Sequence, residues 1–219
     1  MARRAPRIRR TPALLPLLLL ATLARADPAV APASGEQLLQ SLPPMLATRL
    51  ERERVVMLEG QGTGRGDDGD DMIQALVLFE RPRNEVIRYL IQGPRQIEFR
   101  PELREARLVE EFDGGQVIHY EMRMMLMKIE YQARHGWDFE TGRIWWSLDP
   151  DFDNDFEKLE GRWEVRALGP RRALARFGTR IDVGRALPSF VQDMTTRSKL
   201  PEAMQNVRRW VDSGGTYRP

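Results

Sequence analysis

The sequence predicts an α+β domain in which a curved antiparallel sheet closes on a long C-terminal helix. Three observations predict it. Between residues 116 and 183, five consecutive strand-like stretches place bulky apolar residues on every second position, the period of a strand with one face in and one face out. Their other positions carry Arg162, Glu164, Arg166, Arg172, Arg176, Arg180 and Asp182, so the sheet is solvated on one side, as antiparallel sheets permit. Residues 188–212 then set Phe190, Val191, Met194, Met204, Val207 and Val211 on a helical stripe, the cover that the inner face requires.

In chain order, residues 1–26 read as a secretory signal. Arg3, Arg4, Arg7, Arg9 and Arg10 precede the apolar run 13–23, and Ala24-Arg25-Ala26 closes it. This is the charged, apolar, small-x-small order of an export signal, and the run is shorter than the ~20 residues of a membrane span. The expectation is an exported protein, periplasmic or secreted after cleavage near Ala26. Removing the signal takes six of 34 basic residues and none of the 32 acidic ones, so the mature chain is acidic, 28 against 32. A general positive field for nucleic acid is thereby lost, and no nucleic-acid partner is expected. Cysteine is absent, so the fold rests on its core without disulfides.

Residues 27–70 form a leader. An Ala/Pro-rich stretch, 27–35, is followed by Leu38, Leu39, Leu42, Met45, Leu46 and Leu50 at loosely helical spacing, which Pro43-Pro44 must interrupt. A short strand is expected at 54–59, and the dense glycine and aspartate of 60–71 read as a surface loop. The main domain, 71–213, opens with a strand at 72–80. Ile73, Ala75, Val77 and Phe79 share one parity, and Leu76 and Leu78 on the other imply burial on both faces. Pro82 suits the first turn of a helix reaching Ile91, which Gly93-Pro94 stops. A short helical piece at 96–99 leads to a strand at 103–112 and a turn at Asp113-Gly114-Gly115.

Strands are expected next at 116–128, 130–140, 143–148, 159–168 and 171–184. Ile118, Tyr120, Met122, Met124 and Leu126 share the inner parity of the first, Tyr131, Ala133, His135, Trp137 and Phe139 that of the second. Leu159, Gly161, Trp163, Val165 and Ala167, then Ala173, Ala175, Phe177, Thr179, Ile181 and Val183, continue it, while His119 lies on the solvent parity. Pro201 should kink or split the C-terminal helix, Asp212-Ser213-Gly214-Gly215 ends it, and 214–219 form a tail.

This order resembles that of the START-like superfamily, also called SRPBCC, with its helix-grip fold, and in particular its exported bacterial members. Ala75-Leu-Val-Leu-Phe-Glu-Arg-Pro-Arg-Asn-Glu-Val is similar to the family's opening strand and proline-marked first helix, and Gln96-Ile-Glu-Phe-Arg-Pro to its descent into the second strand. Gly161-Arg-Trp is similar to the start of its penultimate strand and Leu187-Pro-Ser-Phe190 to the start of its grip helix. The resemblance implies a lipid, sterol, quinone, polyketide or aromatic compound held between sheet and helix. It carries over no catalytic residue, since the superfamily has no common catalytic motif.

The candidate ligand-binding residues are Tyr120, Met122, Met124, Tyr131, His135, Trp137, Trp146, Trp163, Phe177, Phe190 and Met194. Aromatics give wide apolar contact and methionine moulds to irregular shapes; the same side chains also suit a filled core. His135, the one histidine on an apolar parity, needs a hydrogen-bond partner in protein, water or ligand. A hydrophobic-ligand carrier, expected to be a monomer without cofactor or metal, is the leading reading. The alternative is a cyclase or dehydratase using His135 with Tyr120 or Tyr131 as acid and base. The carboxylates of 149–160 imitate the spacing of a calcium loop, but Asn154 replaces the expected glycine and strands flank it; a solvated hairpin loop is the simpler reading. Arg171-Arg172 with Arg208-Arg209 offer transient contact to an anionic membrane, against the plainer role of solubilising charge.

Overall fold

A computed structural model describes residues 34–58, 72–124, 127–183 and 199–219. The expected signal at 1–26, the loop at 60–71, and Phe190 and Met194 lie outside these residues. Eight strands form one antiparallel sheet: β1 (Val55–Leu58), β2 (Ile73–Phe79), β3 (Leu103–Phe112), β4 (Gly115–Met124), β5 (Met127–Asp138), β6 (Arg143–Leu148), β7 (Lys158–Ala167) and β8 (Ala173–Asp182). Their spatial order is β1-β2-β8-β7-β6-β5-β4-β3. Helices α1 (Gly35–Ser41) and α2 (Pro44–Glu53) precede the sheet, α3 (Arg83–Leu90) and a 3-10 helix (Gly93–Glu98) join β2 to β3, and α4 (Leu200–Asp212) follows β8.

The pairing confirms the expected parities. Tyr120 faces Tyr131, His135 faces Trp146, Ile144 faces Trp163 and Trp163 faces Phe177, so one continuous inner face runs across the sheet. α4 lies on this face at the β1–β2 end, burying Leu200, Met204, Val207, Trp210 and Val211. Residues 188–198 of the expected helix lie outside the described residues. Pro201 stands in the first turn of α4, where its missing N–H is no loss. Gly214 and Gly215 then take positive φ, and Gly215 N–H closes on the Trp210 carbonyl at 2.8 Å.

Three local expectations need correction. First, β4 ends at Met124, which pairs with Met127 of β5, where the sequence reading ran one strand to 128. Met-Met-Leu-Met offers no glycine, proline or asparagine to mark a hairpin. Second, Phe139 lies past the end of β5, 37% exposed, and its carbonyl accepts a hydrogen bond from Arg83. Third, His119 is on the outer face yet buried, because Phe152 of the β6–β7 loop packs edge-on against it at 5.5 Å.

The outer face is not uniformly solvated either. Leu38, Leu39, Leu42, Leu46 and Leu50 of α1 and α2 cover Val56, Leu76, Leu78 and Leu174, so β2 and its neighbours are buried on both faces. Pro43 and Pro44 separate the two helices as expected, and Ser34 with Gln37 closes a capping box on α1. Over β7 and β8 the arginines instead form a lattice with acids, including Arg162 with Glu164 and Arg180 with Glu160.

The 149–157 loop straps β5 beyond the end of β6, and residues 158–160 of the expected 149–160 loop belong to β7. Asn154 Oδ1 accepts from the Gln132 N–H at 2.8 Å, and Asp155 Oδ2 from the Glu130 N–H at 2.6 Å. Asp149 meets Arg134 at 3.5 Å. Its oxygens thus replace a missing neighbouring strand, and among the described residues no group of three or more metal-ligating side chains converges.

Gly161 shows how tightly the inner face is built. A Cβ there would stand 2.1 Å from Cζ2 of Trp146 and 2.7 Å from the Gly178 carbonyl oxygen. Gly161→Ala is therefore expected to destabilise the fold by about 1–3 kcal/mol through overpacking, read by urea denaturation.

Candidate functional site

Register divides the inner face into two apolar clusters. One contains Trp163 and Phe177 with residues of α3 and α4, and Trp137 and Trp146 pack against it. The other contains Tyr120, Met122, Met124, Tyr131, Leu103, Ile118, Ile129 and Ala133 with Phe156 and Val183. Among the described residues, none of α3 or α4 belongs to it. The nine described candidates thus share one face but split between a helix-packed half and a methionine–tyrosine half.

His135 links the halves. It stacks on Trp146 with ring centroids 6.4 Å apart, Trp146 on Phe177 at 5.8 Å, and Phe177 meets Trp163 at 4.7 Å. On its other side His135 Nε2 lies 3.1 Å from the Tyr120 hydroxyl, which supplies the partner that burial demands. Tyr120 stacks on Tyr131 at 5.0 Å.

Sequence reasoning missed the charged end of this row. Arg100 and Glu102, flanking Pro101 where the chain enters β3, form an ion pair with Nε to Oε1 at 2.8 Å. Arg100 also donates to Gln96 Oε1 at 3.2 Å. Alternation rules do not reach irregular segments; opposite charges at i and i+2 around a proline were the available signal, because extended backbone puts both on one side.

The electrostatics follow from burial beside one cation. Burial, and then the nearby Arg100 charge, lower the His135 pKa to about 4, so the imidazole is neutral at neutral pH. Burial pushes the Tyr120 and Tyr131 hydroxyls up, keeping both protonated. Burial disfavours the Arg100 charge, and the paired Glu102 carboxylate opposes that loss, so its pKa lies above the ordinary value. Burial likewise works against the Glu102 charge, and Arg100 overrides it to keep that carboxyl below its usual range. The row therefore holds a neutral imidazole and two protonated phenols on the inner face at neutral pH.

Two clefts, of about 450 and 470 Å³, lie elsewhere, along edge strand β1: one is lined by Leu42, Leu46, Met57 and Leu58, the other by Glu53, Val55, Pro201 and Gln205. Of the four arginines considered for membrane contact, Arg172 pairs with Glu51 at 2.7 Å, Arg208 with Asp212 at 3.0 Å, and Arg209 reaches the Tyr217 hydroxyl at 3.3 Å.

The sequence matches no protein-family model and no curated protein. Solved structures do match. A STAR-related lipid transfer protein fragment from Xanthomonas axonopodis is 12% identical with a TM-score of 0.55, over 72% of this chain and 92% of its own. Human STARD10 is 12% identical with a TM-score of 0.55, over 78% and 80%. The Zhui aromatase/cyclase from Streptomyces sp. R1128 is 15% identical with a TM-score of 0.50, over 67% and 98%. Identities this low speak to architecture, and with the sheet order and the position of α4 they show that the chain has the helix-grip fold of START-like proteins.

Proposed function

We propose that this is an exported, monomeric binding or carrier protein that holds a hydrophobic small molecule between the sheet and the C-terminal helix. The observation that carries the reading is the methionine–tyrosine cluster with the Tyr120–His135 contact at one end. Flexible thioethers and aromatic faces desolvate an apolar body, at ~25 cal/mol per Å² of area removed from water, while a few polar groups fix its orientation. The lipid-transfer protein among the similar folds supports it. Native mass spectrometry of the mature chain purified from its own compartment is expected to show added mass that denaturation releases. A protein without added mass, which also binds no offered lipid or quinone, overturns the carrier reading.

The Tyr120–His135 contact favours a second reading, a cyclase- or dehydratase-type enzyme in the same place, with the aromatase/cyclase among the similar folds as its support. A neutral imidazole touching a protonated phenol is a competent base and acid pair. In that case a polyketide-like substrate is turned over by the native chain, and His135→Gln binds it yet abolishes turnover. Full turnover by the variant removes this reading.

A further inference from the structure

The cleft of about 450 Å³ beside β1 opens on the outer face of the sheet and has no part in the methionine–tyrosine cluster. It lies where Pro43 and Pro44 part α1 from α2, so that Leu38, Leu42 and Leu46 reach the sheet without closing over Leu58 and Leu76. Leu38, Leu42, Leu46 and Leu58 accordingly stay only partly buried. The volume falls in the ~300–1,000 Å³ range of small-molecule sites. Its lining is aliphatic apart from Ser41 and two guanidiniums, Arg49 and Arg176.

The arginines of this face are unequally answered. Arg162 meets Glu164 at 3.6 Å, Arg172 meets Glu51 at 2.7 Å and Arg180 meets Glu160 at 3.5 Å. Arg176 has no carboxylate partner among the described residues, because Glu164, its register neighbour on β7, turns to Arg162 and to Arg166 at 3.9 Å. A neutral group holds it instead: Nε and Nη2 donate to Oε1 of the buried Gln74 at 2.8 and 2.6 Å. This fixes the guanidinium at the cleft without neutralising it, and among the described residues its Nη1 has no hydrogen-bond partner. Arg49 reaches Glu53 only at 3.5 Å, and that carboxylate stands closer to Arg52, at 2.7 Å. From this placement we infer that the cleft binds a single-chain amphiphile with an anionic oxyacid head, a carboxylate or a phosphate monoester. The head lies at Arg176 and Arg49 and the chain along Leu42, Leu46 and Leu58. A guanidinium gives either head charge-assisted hydrogen bonds, and the leucines gain by losing contact with water. An alcohol of the same length can use only the leucines.

The test is NMR of the full mature chain with labelled leucine and methionine methyls, titrated with dodecanoate, dodecyl phosphate and dodecan-1-ol below micellar concentrations. At about pH 7.5 both acids are ionised. The methyls of Leu42, Leu46, Leu58 and Leu76 are expected to shift, with at least one acid bound about tenfold more tightly than the alcohol. The tighter acid identifies the head. Arg176→Gln is expected to bring that acid down to the alcohol's affinity without moving the alcohol. Shifts confined to Met122 and Met124 would put the amphiphile on the inner face, overturning this inference and leaving the carrier reading standing. Equal affinity of acids and alcohol, or no shift at the cleft leucines, overturns it too. So does acid binding that appears only after Asp67, Asp68, Asp70 and Asp71, between β1 and β2 in the chain, are changed to asparagine, since the chain's own carboxylates would then answer Arg176. The titration of the unaltered chain decides even where Arg176→Gln fails to fold.

Discussion

Replacing Trp210 by alanine is expected to remove about 3–5 kcal/mol of stability, the range for truncating a buried indole. That is a large fraction of the ~5–15 kcal/mol that holds a typical domain folded. Trp210 is fully buried. Its ring packs on Phe99 at 4.8 Å and edge-on to Tyr89 at 5.4 Å, Arg95 lies over it at 5.0 Å, and its N–H donates to Glu98 at 2.9 Å. One side chain thus fastens α4 to α3 and to the 3-10 helix. Urea denaturation followed by circular dichroism measures the loss, and Trp210→Phe, which keeps most of the volume and gives up the N–H, is expected to lose roughly half as much. A loss below about 1 kcal/mol in the alanine variant would mean that the grip does not depend on this anchor.

Acidification is expected to weaken the fold from about pH 6.5 downward, beginning with His135. The His135 pKa is lowered from 6.5 to about 4 in the folded chain. Between those values the unfolded chain therefore binds the proton and the folded chain does not. The stability is fully present above about pH 6.5 and is lost as the pH falls through about 4, at most ~3 kcal/mol in all. Glu98, held low by hydrogen bonding to Arg95, and Glu102, held low by Arg100 despite burial, act in the same direction but only further into acid. Asp212, raised by burial, acts oppositely. These three are common to the native chain and His135→Gln, so the difference between their denaturation curves over about pH 6.5–4.5 isolates the histidine. Parallel curves for the two proteins would show that His135 is not shielded as its position implies.

The legible parts of this molecule are those in which one periodicity repeats without interruption. Tyr131, Trp163 and Phe177 could be placed on the inner face because each belongs to a strand whose alternation spans its length, and a shift of one residue would have turned them all outward. Leu76 and Leu78, on the wrong parity for a one-sided sheet, correctly announced a strand covered twice. What covers them could not be read, because a leucine stripe states that a face is buried and not against which surface. His119 was misplaced for the same reason: its strand position was right, but Phe152 reaches it from a distant loop. Arg100 and Glu102 escaped because they sit in a segment without period, and the purpose of a charge there depends on Tyr131, brought close only by folding. The hydrophobic character of the site was written in the strands, and its polar end was written in the tertiary structure.

The covering of β2 and β8 by α1 and α2 has a practical bearing on any attempt to isolate the helix-grip portion. A fragment beginning at Ile73 retains the opening strand and grip helix that sequence reading would treat as the whole domain. It nevertheless leaves Leu76, Leu78 and Leu174 facing water in adjacent strands and bares the backbone of β2 where β1 had paired with it. An apolar patch beside an unpaired strand edge is a surface that adheres to its own kind. A fragment without the N-terminal leucines is therefore expected to self-associate, as size-exclusion chromatography beside the full mature chain would show.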